Sequence, residues 1–285
     1  SKPSDGWKLM TDGWYYFRNG SAIKSDFLTQ GNITWYLDEN GKMCTNQAKL
    51  IDGAWYRFDA NGYMITGWYG ANDGSWYCYE NNGHACSDFT LIGNTWYYFE
   101  NNGYMITSSW KQIGDVWYYL TPSGNMAVGW YAVDGSWYFF DASGAMAEGW
   151  RQLGSNWYYL MPGGNMAVGW YVVDGSWYFF DASGAMAEGW RQIGGKWYYL
   201  NPGGRMAVGW CIVDGSWYFF DESGAMAEGW RAVGSNWYYF DTNGKMLTDC
   251  WVDNVYYVKS SGAMAKGEWV DHNRYYVNSN GVWAN

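Results

Sequence analysis

The chain repeats itself every 20 residues, and that period excludes most folds open to a protein of 285 residues. Residues 129–168 and 169–208 are the same 40-residue string with a handful of changes, and each 40 is two 20s. A Gly-Trp step recurs at Trp130, Trp150, Trp170, Trp190, Trp210 and Trp230, and a second Trp follows seven residues later at Trp137, Trp157, Trp177, Trp197, Trp217 and Trp237. Outward from this block a weaker form continues, with a Trp-Tyr-aromatic run and a Gly after it, to Gly20 on one side and Gly281 on the other. About fourteen units cover nearly the whole chain and leave no stretch for a separate non-repetitive domain. Units this short hold little core of their own, so each must bury its surface against its neighbours.

Turn chemistry defines the unit. Asp134-Gly135 lies between two aromatic, β-branched segments, where both turn residues need positive φ, and this predicts a β-hairpin with a two-residue turn. Such a hairpin pairs Val133 with Ser136, Ala132 with Trp137, Tyr131 with Tyr138 and Trp130 with Phe139. Strand alternation then puts Trp130, Trp137 and Phe139 on one face, and Tyr131, Val133, Tyr138 and Phe140 on the other. Both faces are apolar, and a lone hairpin is marginal in water, so stacking is obligatory. Residues 141–148 form the connection, with Gly144 predicted to be left-handed and Met146 two positions on. Eleven of the 13 Met residues occupy this place. They serve as unbranched filler between hairpins, or, as with Met146, Met166, Met186, Met206 and Met226, as the wall of a ligand pocket.

Aromatic residues make up 22% of the chain, 24 of them Trp. Rings are good glue for a solenoid, but both Trp positions stay Trp through six consecutive units while their neighbours drift. Two indoles and a third ring converging without charge form a cage for a quaternary ammonium, held by the ring quadrupoles. The net charge of -10 favours a cationic ligand and excludes a polyanion such as nucleic acid. No apolar run is long enough to cross a membrane as a helix, and residues 1–6 lack the order of a signal peptide, so the expectation is a secreted chain whose signal has been removed.

The repeat Gly-Trp, six residues, Trp-Tyr-(Tyr/Phe)-(Phe/Leu), Asp/Asn, then Gly-x-Met-Ala resembles the choline-binding repeat of streptococcal cell-wall proteins and their phages, most specifically through residues 110–247. The resemblance implies an all-β left-handed solenoid of hairpins, with choline between consecutive hairpins in a cage of two Trp from one repeat and a third ring from the next. Carried over by position, the cages are Trp110, Trp117 and Phe139; Trp130, Trp137 and Tyr159; Trp150, Trp157 and Phe179; and Trp170, Trp177 and Tyr199. Three more are Trp190, Trp197 and Phe219; Trp210, Trp217 and Tyr239; and Trp230, Trp237 and Tyr257.

Elsewhere the pattern degrades. Trp68, Trp76 and Tyr98 carry one extra turn residue, and Phe89, Trp96 and Tyr119 replace an indole with phenyl, so these two cages are weaker. Trp7 and Trp14 meet Leu37 as third ring; the units at Trp35 and Trp55 offer Leu28 and Ala48 as first Trp, with Arg57 as third ring of the latter; these cages are expected to be dead. Val255 and Arg274 replace the second Trp in the last two units. Three segments are thus expected: degenerate repeats over 1–108, regular ligand-loaded repeats over 109–247, and a shortened C-terminal cap over 248–285. Relaxed positions such as Arg57, Cys78 and Lys49 are either drifted scaffold or a surface for a protein partner.

Enzymatic chemistry lacks its parts. His84 and His272 are far apart and without metal-ligand spacing, and the acids recur at a fixed interval with no pair set apart. The five Cys are odd in number and lack zinc spacing; free buried thiols are expected, with Cys78 and Cys86 the one pair near enough to bridge. Arg151, Arg191 and Arg231 lie flat over rings, or touch the phosphate of a phosphocholine. The expected function is non-catalytic attachment, with no cofactor, to choline-decorated teichoic and lipoteichoic acids at the cell-wall surface. Among members of the family it is most similar to those made of repeats alone, which implies modulation of a choline-dependent autolysin, with the N-terminal repeats as the candidate contact. Two alternatives stay open: an anchoring module of a larger cell-wall hydrolase or adhesin, and a glucan-binding repeat.

Overall fold

A computed structural model describes residues 3–284. Among them are thirty short strands in fourteen antiparallel sheets, of which the first and last have three strands and the rest are two-stranded hairpins. The expected all-β array of hairpins is what the chain forms. It divides into two compact units, Ser1–Ala147 and Glu148–Asn285, whose boundary falls inside the regular block.

Each regular hairpin has the geometry its turn demands. Strands Gly129–Val133 and Ser136–Phe140 pair in the expected register, Trp130 with Phe139 and Val133 with Ser136, around Asp134 and Gly135 at φ 49° and 81°. Two positive φ values give the turn twist that matches the strands. The same pairing holds in the second unit for Gly169–Val173 with Ser176–Phe180.

The connection is closed by its own side chains. Asp181 Oδ1 accepts from the Ser183 N–H (2.8 Å), the Ser183 hydroxyl (2.6 Å) and the Ala185 N–H (3.1 Å). The Ser183 hydroxyl bond keeps the Asp181 carboxyl below its ordinary pKa. The next residues fold back so that Met186 bridges to Phe180, while the Met186 N–H reaches the Trp157 carbonyl of the preceding hairpin (2.8 Å). That backbone bond ties hairpin to hairpin, and it recurs from Met206 to Trp177 and from Met226 to Trp197.

Packing is between unlike faces. Trp170 lies on the Trp face of its hairpin and meets Tyr198, on the opposite face of the next, at 4.9 Å between ring centroids. Tyr159 meets Tyr171 at 5.5 Å in the same sense. The last ring or aliphatic of each Trp-Tyr run, such as Leu160, Phe180, Leu200, Phe220 and Phe240, is buried completely. A row of full-sized apolar side chains removed from water is the main stabilising term, at about 2 kcal/mol each.

Two details depart from expectation. Cys78 and Cys86 form a disulfide, where free thiols were expected. Cys78 is in the ladder position that Phe139 holds, Cys86 in that of Ala147, and the Cys86 N–H bonds the Cys78 carbonyl (2.9 Å), which brings their Cα atoms to 5.3 Å. Cys44, Cys211 and Cys250 are free. In the second hairpin Phe27 pairs with Tyr36 and Leu28 with Trp35, so Phe27 and not Leu28 holds the first-Trp position, and Trp35 is displaced by one onto the opposite face.

Gly184 combines φ +81° with a neighbour: a Cβ there would lie on Met166 Sδ. Gly175 has a similar φ of +74° and open space. Gly184→Ala is therefore expected to destabilise the chain by roughly 2–4 kcal/mol and Gly175→Ala by about 1 kcal/mol; equal losses in chemical denaturation would contradict the packing argument.

Candidate functional site

The repeated feature with chemical potential is an open aromatic corner. Trp170 and Trp177 stand 6.4 Å apart at 84°, and Tyr198 of the following hairpin closes against Trp170. Trp170 is half-buried beneath that hairpin, whereas Trp177, beside the turn, is 47% exposed. A cavity of 420 Å³ opens beside Trp177, lined also by Asn201, Arg205, Met206 and Trp210. The corner recurs for Trp110 with Trp117 (6.4 Å, 85°), Trp150 with Trp157 (6.3 Å, 81°), Trp190 with Trp197 (6.4 Å, 82°) and Trp210 with Trp217 (6.0 Å, 88°). In every regular unit the second Trp is left exposed. An indole face half in water and walled on two sides by rings suits a methylated ammonium, which needs no hydrogen bond.

The ring of the following hairpin that packs on the first Trp stands one or two residues before the third ring carried over by position. Trp110 meets Tyr138 at 4.9 Å, Trp150 meets Tyr178 at 4.9 Å, and Trp190 meets Tyr218 at 4.9 Å. Trp210 meets Tyr238 at 4.7 Å and Trp230 meets Tyr256 at 5.2 Å. Phe139, Phe179, Tyr199, Phe219, Tyr239 and Tyr257 instead pack edge-on or tilted against the first Trp of their own hairpins, and Tyr159 does so against Trp150. The reason is parity. When unlike faces stack, the ring presented to the previous hairpin lies one residue from the Trp face, and a choice two residues on falls on the side turned away. The same shift replaces Tyr98 by Tyr97 beside Trp68 (5.1 Å) and Tyr119 by Tyr118 beside Phe89 (4.9 Å).

The degenerate hairpins hold surprises of two kinds. The displacement of Trp35 brings it to 5.2 Å from Trp7, and the Met43 N–H bonds the Trp14 carbonyl (2.8 Å), so Trp35 supplies beside Trp7 the ring of the following hairpin that Leu37 does not. Its signal was the Ile33-Thr34-Trp35 order, one residue out of phase. At the C-terminus Trp251, Tyr275 and Trp283 gather within 5.6–6.3 Å around a cavity of 270 Å³, and the Trp283 N–H bonds the Val255 carbonyl. Trp283, from the last strand, thus stands in for the missing second indole.

Other relaxed positions are engaged internally. The Arg57 guanidinium lies 4.2 Å over Tyr69 and 5.5 Å over Tyr77, beside the place that Ala48 leaves empty of indole, and donates to the Tyr69 hydroxyl (3.2 Å). Lys49 pairs with Glu39 at 3.5 Å, and Cys78 is in its disulfide. Arg151 and Arg191 donate Nη1 to the carbonyls of Trp150 (2.9 Å) and Trp190 (2.8 Å). Arg205, which the repeat pattern did not single out, lines the Trp177 cavity and donates Nε to the Tyr178 hydroxyl (3.3 Å). Met146, Met186 and Met226 pack against these ring clusters, and Met206 lines the Trp177 cavity. Met166 lies against Gly184.

Comparison with known proteins agrees with this geometry. A choline-binding repeat profile matches residues 48–89, 86–128, 107–148, 147–188 and 187–229, a second matches 249–283, and a putative cell wall binding repeat matches 25–43 and 228–246. No curated protein matches the chain. Among solved structures, CbpJ from Streptococcus pneumoniae is 30% identical over 91% of this chain and 99% of its own, with a TM-score of 0.60. Choline binding protein F from Streptococcus pneumoniae is 28% identical over 91% and 98%, with a TM-score of 0.61. The modular autolysin LytC of the same species, in complex with a synthetic peptidoglycan ligand, is 26% identical over 78% of this chain and 52% of its own, with a TM-score of 0.53. The chain belongs to the choline-binding repeat family.

Proposed function

We propose that the chain is a non-catalytic attachment protein that grips phosphocholine groups of teichoic and lipoteichoic acids at the cell-wall surface, many at a time. The observation that carries this reading is the row of exposed second Trp residues, each set against a half-buried Trp at close to a right angle. Each trimethylammonium group sits in the corner of two indoles and the following Tyr, as with Trp170, Trp177 and Tyr198. Arg205, at the rim of the Trp177 cavity, is placed to meet the phosphate of the same group. A ring contributes roughly 0.5–2 kcal/mol to such a cation, so one corner binds at about millimolar after association costs. Several corners facing one polymer raise that by about 10² to 10⁴ through effective concentration.

The likeness to choline binding protein F, 98% of whose chain this one covers, favours action by attachment alone, with competition for the wall sites of a choline-dependent autolysin as its consequence. The likeness to LytC, of which this chain spans 52%, favours the second reading, an anchoring part of a longer hydrolase. The cages work in the same way in both.

A choline titration followed by Trp fluorescence tests the site. Saturation near millimolar is expected, weakened by Trp177→Ala, while the neutral isostere 3,3-dimethylbutan-1-ol binds about tenfold or more weakly, the 1.4 kcal/mol that a cation adds over rings. Equal binding of the isostere would reduce the cages to apolar clefts. The N-terminal corner gives a separate test: choline is expected to shift the indole N–H resonances of Trp7 and Trp14, and Trp35→Ala to abolish those shifts without touching those of Trp177.

A further inference from the structure

One corner differs from the rest in ways that all act on the same cleft. In the hairpin of strands Gly67–Gly70 and Trp76–Tyr79 the turn is longer, closed by Ala71 N–H to the Ser75 carbonyl (2.8 Å) and by Ser75 N–H to Asp73 Oδ1 (2.9 Å). The Ser75 N–H holds the Asp73 carboxyl below its ordinary pKa, so it stays charged at neutral pH. Gly70 faces Trp76 in register, and a Cβ there would stand 3.4 Å from the outer carbons of the indole, so the ring lies down over bare backbone. Trp76 is 49% exposed and Trp68 39%, whereas the first Trp of each regular hairpin is half-buried. Tyr104 stands before Met105, where regular units carry Asn125 or Ala145, and packs on Tyr77 at 5.6 Å; Thr107 follows where they carry Val128 or Glu148.

The result is a cleft of 770 Å³ lined by Trp68, Asp73, Trp76, Tyr97, Tyr104 and Ser123, against 420 Å³ at Trp177. A quaternary ammonium has no N–H to offer a carboxylate, so it would feel the charge of Asp73 but leave its hydrogen-bond acceptors and the hydroxyls of the rim unused. Here the rings keep the geometry of the regular corners, with Trp68 and Trp76 6.2 Å apart at 84° and Tyr97 5.1 Å from Trp68, but the cleft beside them is wider and its rim carries hydroxyls and a charged acceptor. That combination matches a ligand with a flat apolar face and hydroxyls around its edge. We propose that this cleft is a carbohydrate site, taking one or two pyranose rings of a glycan with their C–H face on Trp76 and their hydroxyls on Asp73. A protein held to the wall by its regular choline corners would then also touch a sugar chain, at this one modified corner and by a different chemistry.

The test uses the full chain with its corners filled by saturating choline, titrated with N,N′-diacetylchitobiose, cellobiose and maltose and followed by saturation-transfer difference NMR. Saturable transfer to at least one disaccharide is expected, weakened about tenfold or more by Asp73→Ala and by Trp76→Ala and unchanged by Trp177→Ala. The choline titration of the Asp73 and Trp76 variants, read at Trp177, and of the Trp177 variant, read at Trp217, reports that the rest of the chain is folded and is scored apart from the sugar result. No transfer from any of the three, transfer indifferent to Asp73→Ala, or displacement of the sugar by choline would overturn the proposal. Displacement by ethylammonium, a primary cation able to bond the carboxylate, would overturn it in favour of a cation site.

Discussion

Everything in this chain follows from a hairpin that is apolar on both sides. Trp170 and Trp177 cover one face and Tyr171, Val173, Tyr178 and Phe180 the other, so neither can be left to water and no single partner can cover both. Stacking unlike faces in series meets the constraint, because each hairpin presents to the next what the previous one presented to it. The cost of ordering so small a unit is offset by one buried ring or aliphatic per unit and by backbone bonds such as those from Met186, Met206 and Met226 to the Trp carbonyls of the preceding hairpins. What cannot be covered is the second Trp beside the turn. The proposed binding corner is thus the place where the stack runs out of cover, made from the residues that hold it together.

The same constraint explains what was legible in the sequence. Period, turn and register are local properties: Asp134-Gly135 fixes the turn, and the turn fixes which residues pair, so Trp130 opposite Phe139 follows without knowledge of any neighbour. The third ring is not local. Whether Tyr198 or Tyr199 meets Trp170 depends on whether like or unlike faces stack, and a single hairpin apolar on both sides is silent on that. Trp35 was misplaced for a related reason: alignment on its Trp put Leu28 in the first position, whereas the ladder aligns on Phe27 and leaves Trp35 free to reach Trp7. The Cys78–Cys86 bridge needed the knowledge that the connection folds back onto its own strand.

The irregular hairpins refill the vacated places with different chemistry rather than leaving them empty. Where Ala48 removes an indole, Arg57 lays its guanidinium on Tyr69 and Tyr77, a cation from the chain itself over aromatic rings. Where Val255 removes one, Trp283 returns from the last strand. Where Gly70 and the longer turn open the cleft, Asp73 and Tyr104 line it. A repeat of identical corners would be selective for one headgroup repeated along a polymer, and substitution at a few of them extends that selectivity without disturbing the stack.

The most direct test of the central claim, that unlike faces stack to form the cation corner, is a crystal structure grown with choline. A trimethylammonium group within about 6 Å of the ring centroids of Trp170, Trp177 and Tyr198 is the predicted result. Choline seated against Tyr199, or absent from the corners at saturating concentration, would contradict it.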